Sequence, residues 1–208
     1  APELPGAAEF VEKVSKLCTV SVAHTDSDYE HAKEAFSKGA THLTHLYNAM
    51  PGIHHRNPGV IPAAVENPWV RAELICDGLH VHPASVRLAF SMFGADRIVL
   101  ISDCLRACGM PDGECDLGGL TGYISGGVAR LADGTIAGAI TNLFQGMRNA
   151  ILFGIPECDA IRAATYNPAC ALGVQDKVGS ISTGKLADFI VCRSDYTGRR
   201  VFLAGKEI

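Results

Sequence analysis

Four short apolar runs, each carrying a histidine or aspartate at or near its end, constrain the fold of this chain more than any other feature. Thr19-Val20-Ser21-Val22-Ala23 ends at His24, and the run from Thr41 to Leu46 contains His42 and His45. Ala72-Glu73-Leu74-Ile75-Cys76 ends at Asp77, and Arg97 to Ser102 ends at Asp103. Helical patterns lie between them. Ser27 with Glu30 reads as a capping box for a helix through Ala32, Ala35 and Phe36 that stops at Gly39. Pro83 opens a second helix carrying Val86, Ala89, Phe90 and Phe93, closed by Gly94. Strands alternating with helices at spacings of roughly 20–30 residues predict βαβ units and a parallel sheet. In such sheets the chemistry sits at the carboxyl ends of the strands, where His24, His45, Asp77 and Asp103 fall.

After Asp103 the texture changes. Residues 109–139 are rich in glycine and turn signals, with β-like pieces near Thr121–Ile124 and Ala129–Leu131. Helices are expected over about Thr141–Phe153 and Glu157–Thr165, then a short one from Asn167-Pro168 to near Gly173, and strands at Asp188–Cys192 and Arg200–Ala204. Four βα units cannot close a barrel, and an open half leaves two bare strand edges. The expectation is therefore a piece of a longer polypeptide, or a half completed by a second chain.

Composition removes several function classes. Hydrophobic residues make up 48% and charged residues 19%, enough apolar material for a sizeable core and too much for a disordered chain. The net charge is −4 without a run of Lys or Arg, which argues against a nucleic-acid groove or a polybasic membrane patch. No apolar run reaches the ~18 residues of a membrane span, and Ala1 is not followed by a signal-type stretch, so a cytoplasmic setting is expected. Eight scattered cysteines, none in CxxC spacing, read as buried free thiols.

All eight histidines fall between His24 and His82. His24 and His45, at equivalent positions on consecutive strand ends, are candidate metal ligands; any lone histidine is more often a satisfied core residue, and the paired placement reverses that preference. His42, on the opposite strand face from His45, reads as structural. Asp103 closes the most apolar strand and would face a closed, low-dielectric mouth as ligand or general base, against the alternative of an N-cap. His80 sits in the loop Asp77-Gly78-Leu79-His80-Val81-His82-Pro83, either as a substrate contact or as a surface histidine, and His82 reads as a helix-entry residue. Arg56, in the loop after the second strand, offers a fork matched to phosphate, with loop amides beside Asn48 as further donors, or is simply solvated.

Assembled, these segments resemble the N-acetylglucosamine-6-phosphate deacetylase family of the amidohydrolase superfamily. The matching strings are Ala23-His24-Thr25, Thr44-His45-Leu46-Tyr47-Asn48-Ala49-Met50-Pro51, Arg56-Asn57-Pro58-Gly59, Asp77-Gly78-Leu79-His80-Val81 and Ser102-Asp103. Others are Asp133-Gly134-Thr135-Ile136-Ala137-Gly138, Ala164-Thr165-Tyr166-Asn167-Pro168-Ala169, Gly179-Ser180-Ile181 and Gly184-Lys185-Leu186-Ala187-Asp188. The resemblance implies the C-terminal half of a TIM-type (β/α)8 barrel over residues 1–175, and the returning strands of a small β-sandwich domain over 176–208. It implies a divalent metal, Zn²⁺ or Fe²⁺, held by His24 and His45, with Asp103 as the catalytic proton carrier. His80, Asn48, the Ala49 backbone and Arg56 would bind an amino-sugar phosphate, and the family's members are often homodimers. The family's glutamate ligand in a Leu-Glu-Gly-Pro context, its early His-x-His strand and its carbonyl-polarising histidine have no match here, and Ser102-Asp103-Cys104 stands where Thr-Asp-Ala is usual. Alone, the chain is expected to bind metal poorly and turn over slowly or not at all. An N-acetylgalactosamine-6-phosphate deacetylase, another amidohydrolase, and a non-catalytic sugar-phosphate-binding remnant are the rival readings.

Overall fold

In a computed structural model, the described residues are 1–105, 108–116, 119–125, 128–134 and 139–208. Four parallel strands, β1 (Ser21–Val22), β2 (His42–Leu43), β3 (Arg71–Ile75) and β4 (Ile98–Ile101), lie in sequence order in one sheet. Helices α2 (Tyr29–Ser37), α3 (Val60–Glu66) and α4 (Pro83–Phe93) connect them, and α1 (Ala7–Val14) precedes β1. Four βα units in unbroken order are half of an eight-stranded barrel. The Thr135–Gly138 part of the Asp133-Gly134 string lies outside the described residues.

The register explains which face is core. Val22, Leu43, Ala72 and Ile98 are partners along one row, and each is buried under the helices, as are Leu74 and Leu100 further along the same face. Helix α4 meets that face through Val86, Ala89, Phe90 and Phe93, an i, i+3, i+4, i+7 stripe. The other face carries Ser21, His42 and Arg71 in register, then Glu73 opposite Val99. It is the polar, inward side of the partial barrel.

Capping fixes where each helix begins. The sequence places the α2 cap at Ser27, but Asp28 is the cap: its carboxylate accepts from the His31 N–H at 2.9 Å. Ser27 is otherwise engaged, its N–H donating to Thr25 Oγ1 and its hydroxyl to the Asp28 carbonyl. His82 caps α4 through Nδ1, which accepts from the Ala84 N–H at 3.1 Å, with Pro83 at the first helical position.

After β4, an antiparallel sheet of β5 (Gly113–Asp116), β6 (Thr121–Ser125) and β7 (Val128–Leu131) rises from the loop region. Helices α5 (Leu143–Leu152), α6 (Glu157–Ala164) and α7 (Tyr166–Ala171) then return to the barrel sheet. Asn167, 1% exposed, pins α7 by donating to the Ala95 and Ile98 carbonyls at 2.7 Å each. A last antiparallel sheet joins β8 (Phe189–Val191), β9 (Arg200–Leu203) and β10 (Lys206–Glu207), with Phe189 stacked on Phe202. The cysteines are all free thiols, but only Cys76 and Cys115 are buried; Cys18, Cys104 and Cys158 are exposed, because they stand on loops or outward helix faces.

Candidate active site

The residues at the carboxyl ends of β1, β2 and β4 share an uncommon backbone state. His24, His45 and Asp103 take φ of 44°, 34° and 48°, and Tyr47 and Ala49 in the loop after β2 take 78° and 49°. Non-glycine residues seldom adopt this region, which costs of order 1–3 kcal/mol each and persists only where the surroundings enforce it. His24, His45 and Asp103 each stand two residues past the last residue of their strand. The His24 and His45 rings meet edge to face, with centroids 4.7 Å apart. His45 is buried, and its Nδ1 has no hydrogen-bond partner. An orphaned imidazole nitrogen beside a second imidazole is a donor pair that fits a divalent metal. Among the described residues no third His, Cys, Asp or Glu completes a ligand set with them.

Around these rings the loops are tied together. Glu3 accepts from the Thr25 hydroxyl at 2.5 Å and from the Asp26 N–H at 2.9 Å, so its carboxylate braces the turn after His24 and is no ligand. The Thr25 N–H donates to the Ala49 carbonyl at 3.0 Å, joining the β1 exit to the loop after β2. Asn48 folds back: its Nδ2 donates to the His45 and Leu46 carbonyls at 3.2 Å, holding the turn that carries His45. Arg56 stands apart on the exposed loop, its backbone N–H on His54 Nδ1 at 3.4 Å.

Two sequence expectations need correction. Asp103 does not face a closed mouth; it is exposed, as is His24, because the half-barrel leaves its inner side open. Glu73, which sequence reasoning passed over, lies half-buried on the inner face of β3. Burial, with the charge of Asp103 adding to it, pushes its carboxyl above the ordinary carboxylate range, against a smaller opposing effect of the His45 N–H. The available signal was a lone charged residue inside the apolar string Ala72–Cys76.

The loop after β3 is held by side-chain hydrogen bonds. The Asp77 carboxylate accepts from the N–H groups of Leu79 and His80 at 2.8 and 2.9 Å through Oδ1, and pairs with His80 Nδ1 at 2.6 Å through Oδ2. Asn149 on α5 fixes the start of this loop by donating to the Cys76 carbonyl at 2.9 Å.

A family model described as the amidohydrolase family matches residues 2–208. The chain belongs to the amidohydrolase family. Members of that superfamily are hydrolases that use a divalent metal ion. This amidohydrolase is 37% identical over 99% of its length to the N-acetylglucosamine-6-phosphate deacetylase of Vibrio furnissii, of which it covers 52%. It is 36% identical over 99% of its length to an N-acetylgalactosamine-6-phosphate deacetylase of Escherichia coli, covering 55% of it. Its backbone superposes with a TM-score of 0.94 on an Asp-to-Ala variant of the N-acetyl-D-glucosamine-6-phosphate deacetylase of Mycobacterium smegmatis, solved in complex with N-acetyl-D-glucosamine-6-phosphate. That structure is 37% identical, and the match covers all of this chain and 56% of that one. The chain thus spans about half the length of the curated relatives it matches, and the fold is that of part of an amidohydrolase barrel.

Proposed function

We propose that this chain carries half of the active site of a deacetylase that releases acetate from N-acetylglucosamine 6-phosphate. The observation that supports this most is the meeting of the His24 and His45 rings from adjacent strand ends, with Asp103 past the end of β4 in the same left-handed backbone state. His24 and His45 would hold a divalent metal, Zn²⁺ or Fe²⁺, through imidazole nitrogens, His45 by its unpartnered Nδ1. When bound, such an ion supplies Lewis acidity and lowers the pKa of water to make a nucleophile at neutral pH. Asp103 accepts the proton of the attacking water and delivers it to the leaving amine, a role its exposed position at the mouth allows. Arg56, exposed on the loop after β2, offers a bidentate fork to the phosphate, the Ala49 backbone and Asn48 would contribute from the turn that carries His45, and His80 contacts the sugar. The same reading extends to a homodimer in the cytoplasm. Among the described residues no helix is long and apolar enough to cross a membrane.

A second reading, deacetylation of N-acetylgalactosamine 6-phosphate, draws on the near-equal identity to relatives bearing either name. The deciding experiment measures acetate release from both sugar phosphates, with metal content determined in parallel. Release from the gluco epimer at the higher kcat/KM supports the first reading, and the reverse preference moves the assignment to the second. Metal and sugar phosphate bound with no release from either, also when the chain is joined to the other half of the barrel, would leave a non-catalytic binding protein.

A further inference from the structure

His80 is held more firmly than a substrate contact requires. Asp77 spends both carboxylate oxygens on it and its turn, and the two side chains are only 2% and 11% exposed. With Nδ1 committed to Asp77, the ring can present only Nε2 to a ligand. We propose that Asp77 is a positioning residue that fixes both the orientation and the charge of His80, making it a cationic hydrogen-bond donor to an oxygen of the bound amino-sugar phosphate. This deepens the proposed function and rests on it for the identity of the ligand.

The electrostatics agree in direction. The Asp77 hydrogen bond raises the His80 pKa above the ordinary histidine value; burial opposes this, and the charges of Asp77 and Asp103, the latter from the end of β4, reinforce it. Burial works against the Asp77 carboxylate, yet His80 and the two backbone N–H groups together hold its pKa below the ordinary carboxylate value. A raised histidine favours the paired state fully below the unfolded histidine pKa and loses it as pH rises through the folded value. A depressed aspartate favours it above the unfolded carboxylate pKa and loses it as pH falls through the folded value. The ion pair therefore spans the interval between the two folded pKa values, wider at both ends than an ordinary aspartate and histidine would give.

Asp77→Asn tests this. Asparagine keeps an Oδ1 acceptor for Leu79 and His80, so the turn survives while the charge goes. The ¹⁵N-histidine resonances of this chain, with His80 assigned by its loss in His80→Gln, report the ring's titration directly. Affinity for N-acetylglucosamine 6-phosphate is measured calorimetrically across the same pH range. The ligand's own phosphate ionises near pH 6 in every case, so only differences between proteins count. In Asp77→Asn the His80 midpoint moves down, affinity at pH 7 falls about tenfold, the worth of one charge-assisted hydrogen bond, and the alkaline loss of affinity moves down with the midpoint. In His80→Gln that loss disappears. An unmoved midpoint overturns the proposal, as does a midpoint that moves while the affinity profile stays with the wild type. If the midpoint moves but the wild-type chain binds no sugar phosphate, the functional reading and the ligand half of this inference fall, and Asp77's control of the His80 charge stands.

Discussion

At the residue scale, the site is written in a backbone state that no sequence pattern announces. The strand-end placement of His24, His45 and Asp103 was legible because a polar residue terminating an apolar run can point only into the mouth. Their left-handed φ was not legible, because local propensity disfavours it and only the packed sheet and loops enforce it. The Glu3 brace on Thr25 was hidden for a different reason: the two residues are distant in sequence, and the fold alone joins them. The strain separates two kinds of Asp103 variant. Asparagine enters the left-handed region at less cost than alanine. Asp103→Asn should therefore keep the wild-type Tm and metal content and lose turnover by at least ~10²-fold, the typical contribution of a positioned acid–base group. Asp103→Ala should lose turnover equally and also ~1 kcal/mol of stability, read by denaturant unfolding. Acetate release by Asp103→Asn within a factor of ten of wild type would remove Asp103 from the proton path.

At the scale of elements, β1 to β4 and the helices with strong apolar periodicity, α2 and α4, follow from pattern alone, because burial against a sheet requires a stripe at helical spacing. Four elements did not show, one of them β5, which lies within the glycine-rich stretch after Asp103. Helix α1 has Val11 as its one buried residue, so it has no stripe to read. Helix α3 is seven residues long, contains Pro62, and follows the turn-like Asn57-Pro58-Gly59. Strand β10 is two residues at the edge of a hairpin. What makes α3 viable is a distant side chain. Arg97 donates to the Asn67 and Val65 carbonyls at 2.8 and 3.1 Å at the C-terminal end of α3, and to the Phe93 carbonyl at 2.8 Å at the end of α4. One guanidinium thus satisfies orphan carbonyls of two helices and opposes both dipoles. Arg97→Ala should cost about 2–3 kcal/mol, a Tm loss of about 4–12 °C for a chain of this size. Lysine should recover little, because an ammonium cannot reach three carbonyls in one plane. A lysine variant with wild-type Tm would show that charge alone suffices.

At the scale of the whole molecule, the sheet has a helix-covered apolar face and an inner polar face holding Ser21, His42, Arg71 and Glu73. The candidate residues His24 and Asp103, past the ends of β1 and β4, are solvent-exposed. Among the described residues no third ligand joins the proposed His24–His45 donor pair, so the proposal implies weak metal binding, and stability can report its occupancy. An ion that binds the folded chain and not the unfolded one stabilises it by RT ln(1 + [L]/Kd), about 2.7 kcal/mol at a hundredfold excess over Kd. For a domain of this size that corresponds to a Tm rise of about 5–11 °C. Zn²⁺ titrated into the metal-free chain should therefore raise Tm progressively, continuing with the logarithm of its concentration above Kd. His45→Ala should abolish the rise, since it removes the buried donor, and Glu3→Gln should shift the curve to about ten- to hundredfold higher Zn²⁺, as loss of a supporting hydrogen bond does at metal sites. Cysteine thiolates are the competing explanation, because Cys18, Cys104 and Cys158 are accessible. Repeating the titration after alkylation of the exposed thiols separates the two. A Tm rise that survives in His45→Ala and disappears on alkylation would place the metal on sulfur and take both histidines out of the site.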